Sequence, residues 1–412
     1  MDPIRDIKEL SIDRQIDDFT TPPNITINDL PDDCLIEIFS YLDILERLEM
    51  ERVCKRWSKI NKRGWRDVRI LCLATKHPDC TIKQATKVLR RSGRLLTSVR
   101  LPVTYDRAVY LRVIQKYCPH IIKLELVFDY LAFRPVLHCY RKTFSALLVA
   151  LEKLNWLVMA HINQEVGTKQ LRVVPSGLKR LEMSANVVFG IITPFYADLS
   201  RFTNLQALSL QYFVIRKESF ESLEQLRNLK ELNLSFSYVF DGGIEKIQNF
   251  EKLERLELEQ RTTQSVDLNI IEDYHITHIA ERCQRLKMLK LNGLVRLTDR
   301  CFRTISTLKH LEVVHMESLP LVTNRSIVKL HQVQTLNCSY CSGIDHQGLG
   351  QLIKNSQNLV ELDARGTTNR ETFFQDIADI IINRNLGLTI NIECNEKFLF
   401  TPGRVPMFQV LV

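Results

Sequence analysis

Apolar positions along the chain follow two different rhythms. Between residues 25 and 60 they recur at helical spacing, and from residue 65 onward they recur as a short motif, apolar-x-x-apolar-x-apolar. In the first stretch, Pro31 suits the opening turn of a helix, where its missing N–H is not needed. Asp32 and Asp33 beside it favour the positive end of the helix dipole. Leu35, Ile38, Phe39 and Leu42 stand at i, i+3, i+4 and i+7, which predicts one apolar face. Asp43 followed by Glu46 has capping-box spacing and predicts the start of a second helix. Val53, Cys54 and Trp57 predict a further apolar stripe, interleaved with Arg52, Lys55, Arg56 and Lys59. About 40 residues of short helices bury little surface alone, so this module needs a partner, either the rest of the chain or another protein.

The second rhythm is a repeat. Its first positions fall at 65, 96, 121, 154, 178, 205, 229, 253, 286, 311, 333, 359 and 387. The cleanest copies are Leu205/Leu208/Leu210, Leu229/Leu232/Leu234, Leu253/Leu256/Leu258 and Leu286/Leu289/Leu291. The last two apolar positions of each copy are two apart, so they point the same way from a short strand. Thr298-Asp299, Thr323-Asn324 and Asp345 each precede an apolar pair three apart, which predicts helix starts on the return. Strand plus helix per turn predicts an α/β solenoid with parallel strands on its concave face and helices on its convex face. Longer intervals place insertions in the copies starting at 65, 121 and 253.

Composition narrows the class. With 45% hydrophobic and 25% charged residues over 412 residues, the chain matches ordinary soluble proteins. No stretch approaches the roughly 18 uninterrupted apolar residues of a membrane span. The opening MDPIRDIKEL is acidic and lacks the apolar core of a secretion signal. Eleven dispersed cysteines then argue for reduced thiols, in cytoplasm or nucleus. The net charge of +8 hides an asymmetry: residues 1–51 carry 14 acidic and 4 basic side chains, whereas residues 52–100 carry 2 and 15. That basic belt invites an anionic partner. RNA readers interleave exposed aromatics with such charge. Here Trp57 and Trp65 sit at framework positions, so a nucleic-acid-binding solenoid using Arg52 through Arg100 ranks behind the readings in which the partner is a protein.

Catalytic and metal signatures are missing. Cys338-Ser339-Tyr340-Cys341 is the one C-x-x-C, without a second pair or a redox context, and Cys338 falls on a core position of its repeat. Buried cysteine behaves as a small hydrophobe, so no metal or cofactor is expected. There is no H-E-x-x-H, G-x-S-x-G or Walker sequence. The chain is expected to be non-catalytic.

The helical stretch resembles the F-box. The Leu30-Pro31 opening, Leu35, the Ile38-Phe39-x-Tyr41-Leu42 run and Val53-Cys54-Lys55-Arg56-x-Trp57 stand in that family's order. It departs at Glu46-Arg47, where the family usually shows an acidic residue followed by Leu. The repeats resemble the cysteine-containing leucine-rich subtype, best at Leu336-x-Cys338-x-x-Cys341-x-x-Ile344-Asp345-x-x-Gly348-Leu349. Together these imply a substrate receptor of an SCF-type (Skp–cullin–F-box) E3 ubiquitin ligase. Leu30, Pro31, Leu35, Ile38, Phe39, Tyr41, Leu42, Val53, Cys54 and Trp57 would meet a Skp-type adaptor, held in turn by a cullin scaffold. The implied organisation is a flexible acidic tail at 1–24, the F-box at 25–64, and the solenoid with a C-terminal cap at 65–412. The same module also suits an interaction scaffold outside a ligase, or a helical cap on the solenoid.

A protein target would meet the outward positions of the strands. Third positions include Trp156, Arg180, Glu231 and Arg255; fifth positions include Arg69, Arg100, Glu182 and Glu257; Glu259 is a seventh. Trp156 offers an anchor. The glutamates suggest a target carrying a basic stretch.

Overall fold

The computed structural model describes residues 26–411 apart from 74–79, 104–108, 129–136, 163–168, 187–192, 241, 261–269, 368–372, 374–376, 378–379, 382–386, 394–395 and 401–409. The acidic tail and most of the Thr262–Tyr274 insertion lie outside the described residues, as does the start of the insertion after Phe128. The chain divides into two compact units, residues 1–67 and 68–412.

The first unit holds three helices, α1 (Asp32–Ser40), α2 (Ile44–Val53) and α3 (Lys55–Gly64). Its core is Leu35, Phe39, Trp57 and Ile60, with Leu30, Ile36, Leu42 and Met50 packed against it. Phe39 and Trp57 meet at a centroid distance of 5.2 Å. Two expectations change here. Ile38 is 39% exposed rather than part of the buried face. At roughly 100° per residue, the stripe centred on Leu35 and Phe39 takes Ile36 inside and leaves Ile38 at its margin. Val53 and Cys54 are also exposed, because Cys54 adopts extended backbone (φ −156°, ψ 169°) and breaks the chain into α2 and α3. The predicted capping box forms: Glu46 accepts from the Asp43 N–H and Asp43 from the Leu45 N–H, both at 2.8 Å.

The second unit is a solenoid. Its main sheet runs β1 (Ile70–Cys72), β2 (Ser98–Val103), β3 (Lys123–Phe128), β4 (Trp156–Ile162) and β5 (Arg180–Ala185). It continues through β7 (Ala207–Gln211), β9 (Glu231–Asn233), β11 (Arg255–Glu257), β12 (Met288–Lys290) and β13 (Val313–His315). The last parallel strands are β14 (Thr335–Asn337), β15 (Glu361–Asp363) and β16 (Leu388–Glu393). An antiparallel turn-back, β17 (Glu396–Phe400) and β18 (Val410–Leu411), follows β16. A small parallel sheet of β6 (Thr193–Phe195), β8 (Phe213–Ile215) and β10 (Tyr238–Val239) lies in the middle repeats. The return segments carry α4 (Ile82–Ser92), α5 (Val109–Tyr117), α6 (Leu137–Ala150), α7 (Lys217–Leu223), α8 (Asp273–Arg282), α9 (Asp299–Ile305), α10 (Asn324–Ile327) and α11 (His346–Asn355).

Parallel pairing in register stacks like positions, so Leu181, Leu208, Leu232, Leu256 and Leu289 form one buried row. The first rung differs from expectation. Ile70 pairs with Ser98 and Leu71 with Val99, so the opening copy is Val68/Leu71/Leu73 and not one starting at Trp65. Trp65 belongs to the first unit, where its indole N–H donates to Glu51 at 3.1 Å. The interval from Val68 to Leu96 is then of ordinary length, and no insertion is needed there. Arg69 consequently leaves the row of outward fifth positions, and Cys72 takes its place beside Arg100.

Neighbouring returns are stitched at their helix starts. Thr298, which caps α9, donates to Asp273, and Thr323, which caps α10, donates to Asp299 at 2.6 Å. Asn324 donates to Asp345, the cap of α11, at 2.9 Å. The chain leaves successive strands through left-handed residues at one repeated place: Tyr212, Phe236, Gly293, Ser318, Tyr340 and Gly366. Glycine adopts that conformation without strain, whereas the aromatic residues need compensation. Tyr212 and Phe236 gain it by stacking at 5.0 Å.

Candidate functional site

Two surfaces come from the described residues, one on each unit. On the first, the residues with the F-box pattern divide by burial. Leu35, Phe39 and Trp57 form the core; Leu30 and Leu42 are half-buried against it; Pro31, Ile38, Tyr41, Val53 and Cys54 are exposed. Tyr41 is 82% exposed and Val53 57%. The opening segment is pinned from α3. Trp57 donates its indole N–H to Asn28 at 2.8 Å, and Arg56 bonds the Leu30 carbonyl at 2.6 Å and the Asp32 carboxylate at 2.9 Å. Arg47, the departure from the family pattern, is buried and serves as a hub. It bonds Asp67 through both terminal nitrogens at 2.8 Å and the Leu42 carbonyl at 3.1 Å, and accepts company from Trp65 at 6.0 Å. The sequence marks Arg47 only as a departure from the family's usual Leu. No local signal reveals its partner, because Asp67 lies 20 residues on.

On the second unit, outward residues of adjacent strands form an ordered network. Trp156 lies between two cations, with the Lys123 ammonium 3.5 Å from its ring centre and the Arg180 guanidinium at 5.1 Å. Its indole N–H donates to Glu182 at 3.1 Å. Arg180 bonds Glu182 at 3.3 Å and reaches across Ala207 to Glu231 two strands away. Glu257 accepts from Asn233 at 2.9 Å and from Lys290 at 3.4 Å, and Lys290 also stands 3.9 Å from Glu259. The proposed acidic patch therefore arrives largely compensated by its own cations, which the count of glutamates along the chain does not reveal. Burial pushes the Glu259 carboxyl up; Lys290 opposes the rise, while Glu257 and Glu317 add to it. Burial, with Lys290 nearby, lowers His315 on the same face.

Between these side chains lies a cavity of about 200 Å³, large enough for one side chain. Its floor is Ala207 and Ser209; its walls include Arg180, Glu231, Asn233, Arg255 and Glu257. Arg255 is exposed and has no carboxylate partner among the described residues. The notch exists because β7 offers the small Ala207 and Ser209 opposite Arg180, Glu182, Glu231 and Asn233. Ala207, Ser209, Asn233 and Lys123 were legible as third or fifth positions of their copies, but lone small or neutral residues there carry no signal until neighbouring strands are stacked.

The cysteines serve packing. Cys338 and Cys341 are fully buried; Cys341 donates to the Met316 carbonyl at 3.0 Å and accepts from the Leu319 N–H at 3.4 Å. Burial pushes the Cys341 thiol up to about 11, and Cys118 and Cys283 to about 12. Among the described residues, no cluster of His, Cys, Asp and Glu is arranged to hold a metal, and no helix is long and apolar enough to cross a membrane.

Residues 27–70 match the F-box-like family. F-box/LRR-repeat protein 12 of Homo sapiens is 31% identical over 120 residues, as is that of Bos taurus. The chain thus carries an F-box-like segment and is similar in part to an F-box/leucine-rich-repeat protein. The match covers 27% of this chain and 36% of either relative. Among solved structures, the crystal structure of the yeast Rad7–Elc1 complex superposes with a TM-score of 0.56 over 82% of this chain and 90% of that one, at 15% identity. This likeness is one of fold. It agrees with a helical N-terminal module followed by a parallel-strand solenoid in this chain.

Proposed function

We propose that this F-box/leucine-rich-repeat chain is the substrate-recognition subunit of an SCF-type ubiquitin ligase. The F-box binds a Skp-type adaptor and, through it, a cullin scaffold; the outward face of the sheet holds a protein target for ubiquitination and degradation. The chain itself supplies position and no chemistry, and works in the cytoplasm or nucleus.

The observation that carries this reading is the division of the F-box residues. Leu35, Phe39 and Trp57 join Ile60 in the module's core, yet Ile38, Tyr41 and Val53 remain exposed on the same small module. Large apolar side chains left in water on a unit this small are the usual mark of an interface. On the second unit, Trp156, Arg180, Glu182, Glu231, Arg255, Glu257 and Glu259 stand on paired strands. Side chains on rigid elements need little ordering on binding, which favours affinity.

The test uses Tyr41→Asp with Val53→Asp in the full chain. Both side chains are exposed, so the helices should stay folded, while co-precipitation of adaptor and cullin should fall to background. Undiminished co-precipitation at equal expression would remove the ligase assignment. Retained adaptor binding with no ubiquitin transfer to any captured protein would leave a scaffold outside a ligase. For the target face, Arg180→Glu with Trp156→Ala should abolish target capture and lengthen the target's half-life, with the adaptor still bound.

A further inference from the structure

We infer that the helical side of the first repeats is a binding surface for the phosphodiester backbone of a nucleic acid. From Val68 to Leu124 the described residues include ten Lys or Arg and no Asp or Glu. Most of these cations are not on the sheet face. On α4, Ala85, Val88, Leu89 and Ser92 face the core, while Lys83, Lys87, Arg90 and Arg91 recur at i, i+4, i+7 and i+8 on the other side. Arg94 follows just past the helix end, and α5, which packs beside α4, adds exposed Arg112 and Lys116. A step of four helical residues spans about 6 Å, so Lys83, Lys87 and Arg91 form a row with Arg90 beside it, and a second row stands about 8–10 Å away on the neighbouring helix.

The pairing of charges argues that this row awaits a ligand. On later returns and rungs several basic side chains are neutralised within the fold: Lys246 by Glu224 at 3.2 Å, Arg282 by Glu251 at 3.2 Å, and Lys287 by Glu254 at 2.9 Å. Lys83, Arg90, Arg94, Arg112 and Lys116 have no carboxylate partner among the described residues. Arg90 and Lys116 instead both lie against the Tyr117 ring, at 5.6 and 5.4 Å from its centre. That arrangement ties the two rows together without consuming either charge.

The chemistry selects among anions. A protein interface would want a desolvated apolar or aromatic centre, and a membrane surface would want apolar side chains to insert. Here the exposed positions of α4 after its cap are Lys and Arg, and the large apolar exposure on α5 is limited to Val109. A polymer with one charge per about 1.7 Å of duplex axis matches an extended run of cations and needs no such centre. Tyr110 is buried and Tyr117 is half-buried against Arg90 and Lys116, so contact is with the backbone and carries no sequence preference.

The test measures fluorescence anisotropy of the full chain with a 20-base-pair DNA duplex and with duplex RNA of the same length, from 50 to 200 mM salt. Engaging the five cations without a carboxylate partner should weaken binding by about 10²–10³-fold across that range. Lys83→Ala with Arg94→Ala and Arg112→Ala, all exposed positions, should flatten the log–log salt slope by about 3, roughly one per cation. Thermal unfolding of the triple variant should match the parent, which separates lost charge from lost fold. Polyglutamate of equal charge and vesicles rich in phosphatidylserine serve as competitors, and each should bind at least tenfold more weakly. No binding at 50 mM salt, or an unchanged slope in the triple variant, overturns the inference. Polyglutamate or vesicles binding as tightly as duplex overturns it in favour of an acidic protein or a membrane.

Discussion

Arg47 on α2 grips Asp67, 20 residues further on, through two parallel hydrogen bonds of 2.8 Å. The arginine side chain is 6% exposed and the aspartate 45%, so one end of the pair is dry and the other wet. A planar guanidinium suits such a bidentate grip, and lysine does not reproduce it. The same guanidinium bonds the Leu42 carbonyl, and the Arg47 carbonyl accepts from the buried Asn61 amide. The end of the F-box unit is thus held by one side chain rather than by an apolar contact.

Arg47→Ala should therefore destabilise the first unit by about 1–3 kcal/mol, the range for leaving buried polar groups unsatisfied. Arg47→Lys should recover only part of that loss. Hydrogen exchange of the α3 amides reads the effect directly. Unchanged protection in Arg47→Ala would show that the hub carries no stability.

Leu256 sits in the buried row of the solenoid at β11. Leu256→Ala should cost about 2–5 kcal/mol. In a stack where each rung touches only its neighbours, the loss should appear first in β9, β11 and β12, with β2 and β15 little changed. Protection lost evenly from β1 to β16 would describe a single cooperative core instead.

The buried cysteines should behave as neutral thiols. With Cys341 pushed to about 11 and Cys118 and Cys283 to about 12, iodoacetamide at pH 8 should spare them in the native protein. It should label the exposed Cys34 and Cys54. Purified protein should carry no stoichiometric zinc, and Cys341→Ser should lower stability without altering partner binding. About one zinc per chain, lost in that variant, would contradict the packing role.

Asp299 links stability to pH. Burial alone would raise its carboxyl, but donation from Ser326, Thr323 and the Thr323 N–H outweighs burial and holds it below its ordinary value. A folded value below the unfolded one gives stability that is present above the unfolded pKa of about 3.9 and lost as pH falls through the folded value. Asp299→Asn should therefore open the α9–α10 segment more readily at pH 7, with the difference from the parent shrinking as pH drops towards 3. Hydrogen exchange of residues 299–327 at several pH values provides the comparison; a gap that stays constant with pH would rule out the linkage.

Some of this architecture is local, and the sequence by itself determined it. Leu205/Leu208/Leu210 and its sister copies specify strand, core direction and rung count, because alternation along a strand depends only on neighbours in the chain. Asp43–Glu46 and Thr298–Asp299 set helix starts for the same reason, since a cap bonds N–H groups two or three residues away. Three things needed the tertiary structure. The opening rung begins at Val68 and not Trp65, because Glu51 claims the Trp65 indole. The Arg47–Asp67 grip depends on how α2 meets the end of its unit. The sheet face is a compensated network with a notch because Arg180 crosses Ala207 to a glutamate 51 residues away. Pairing across stacked strands depends on which rungs become neighbours and on how much room a small side chain leaves between them, and neither quantity is written in the local spacing of residues.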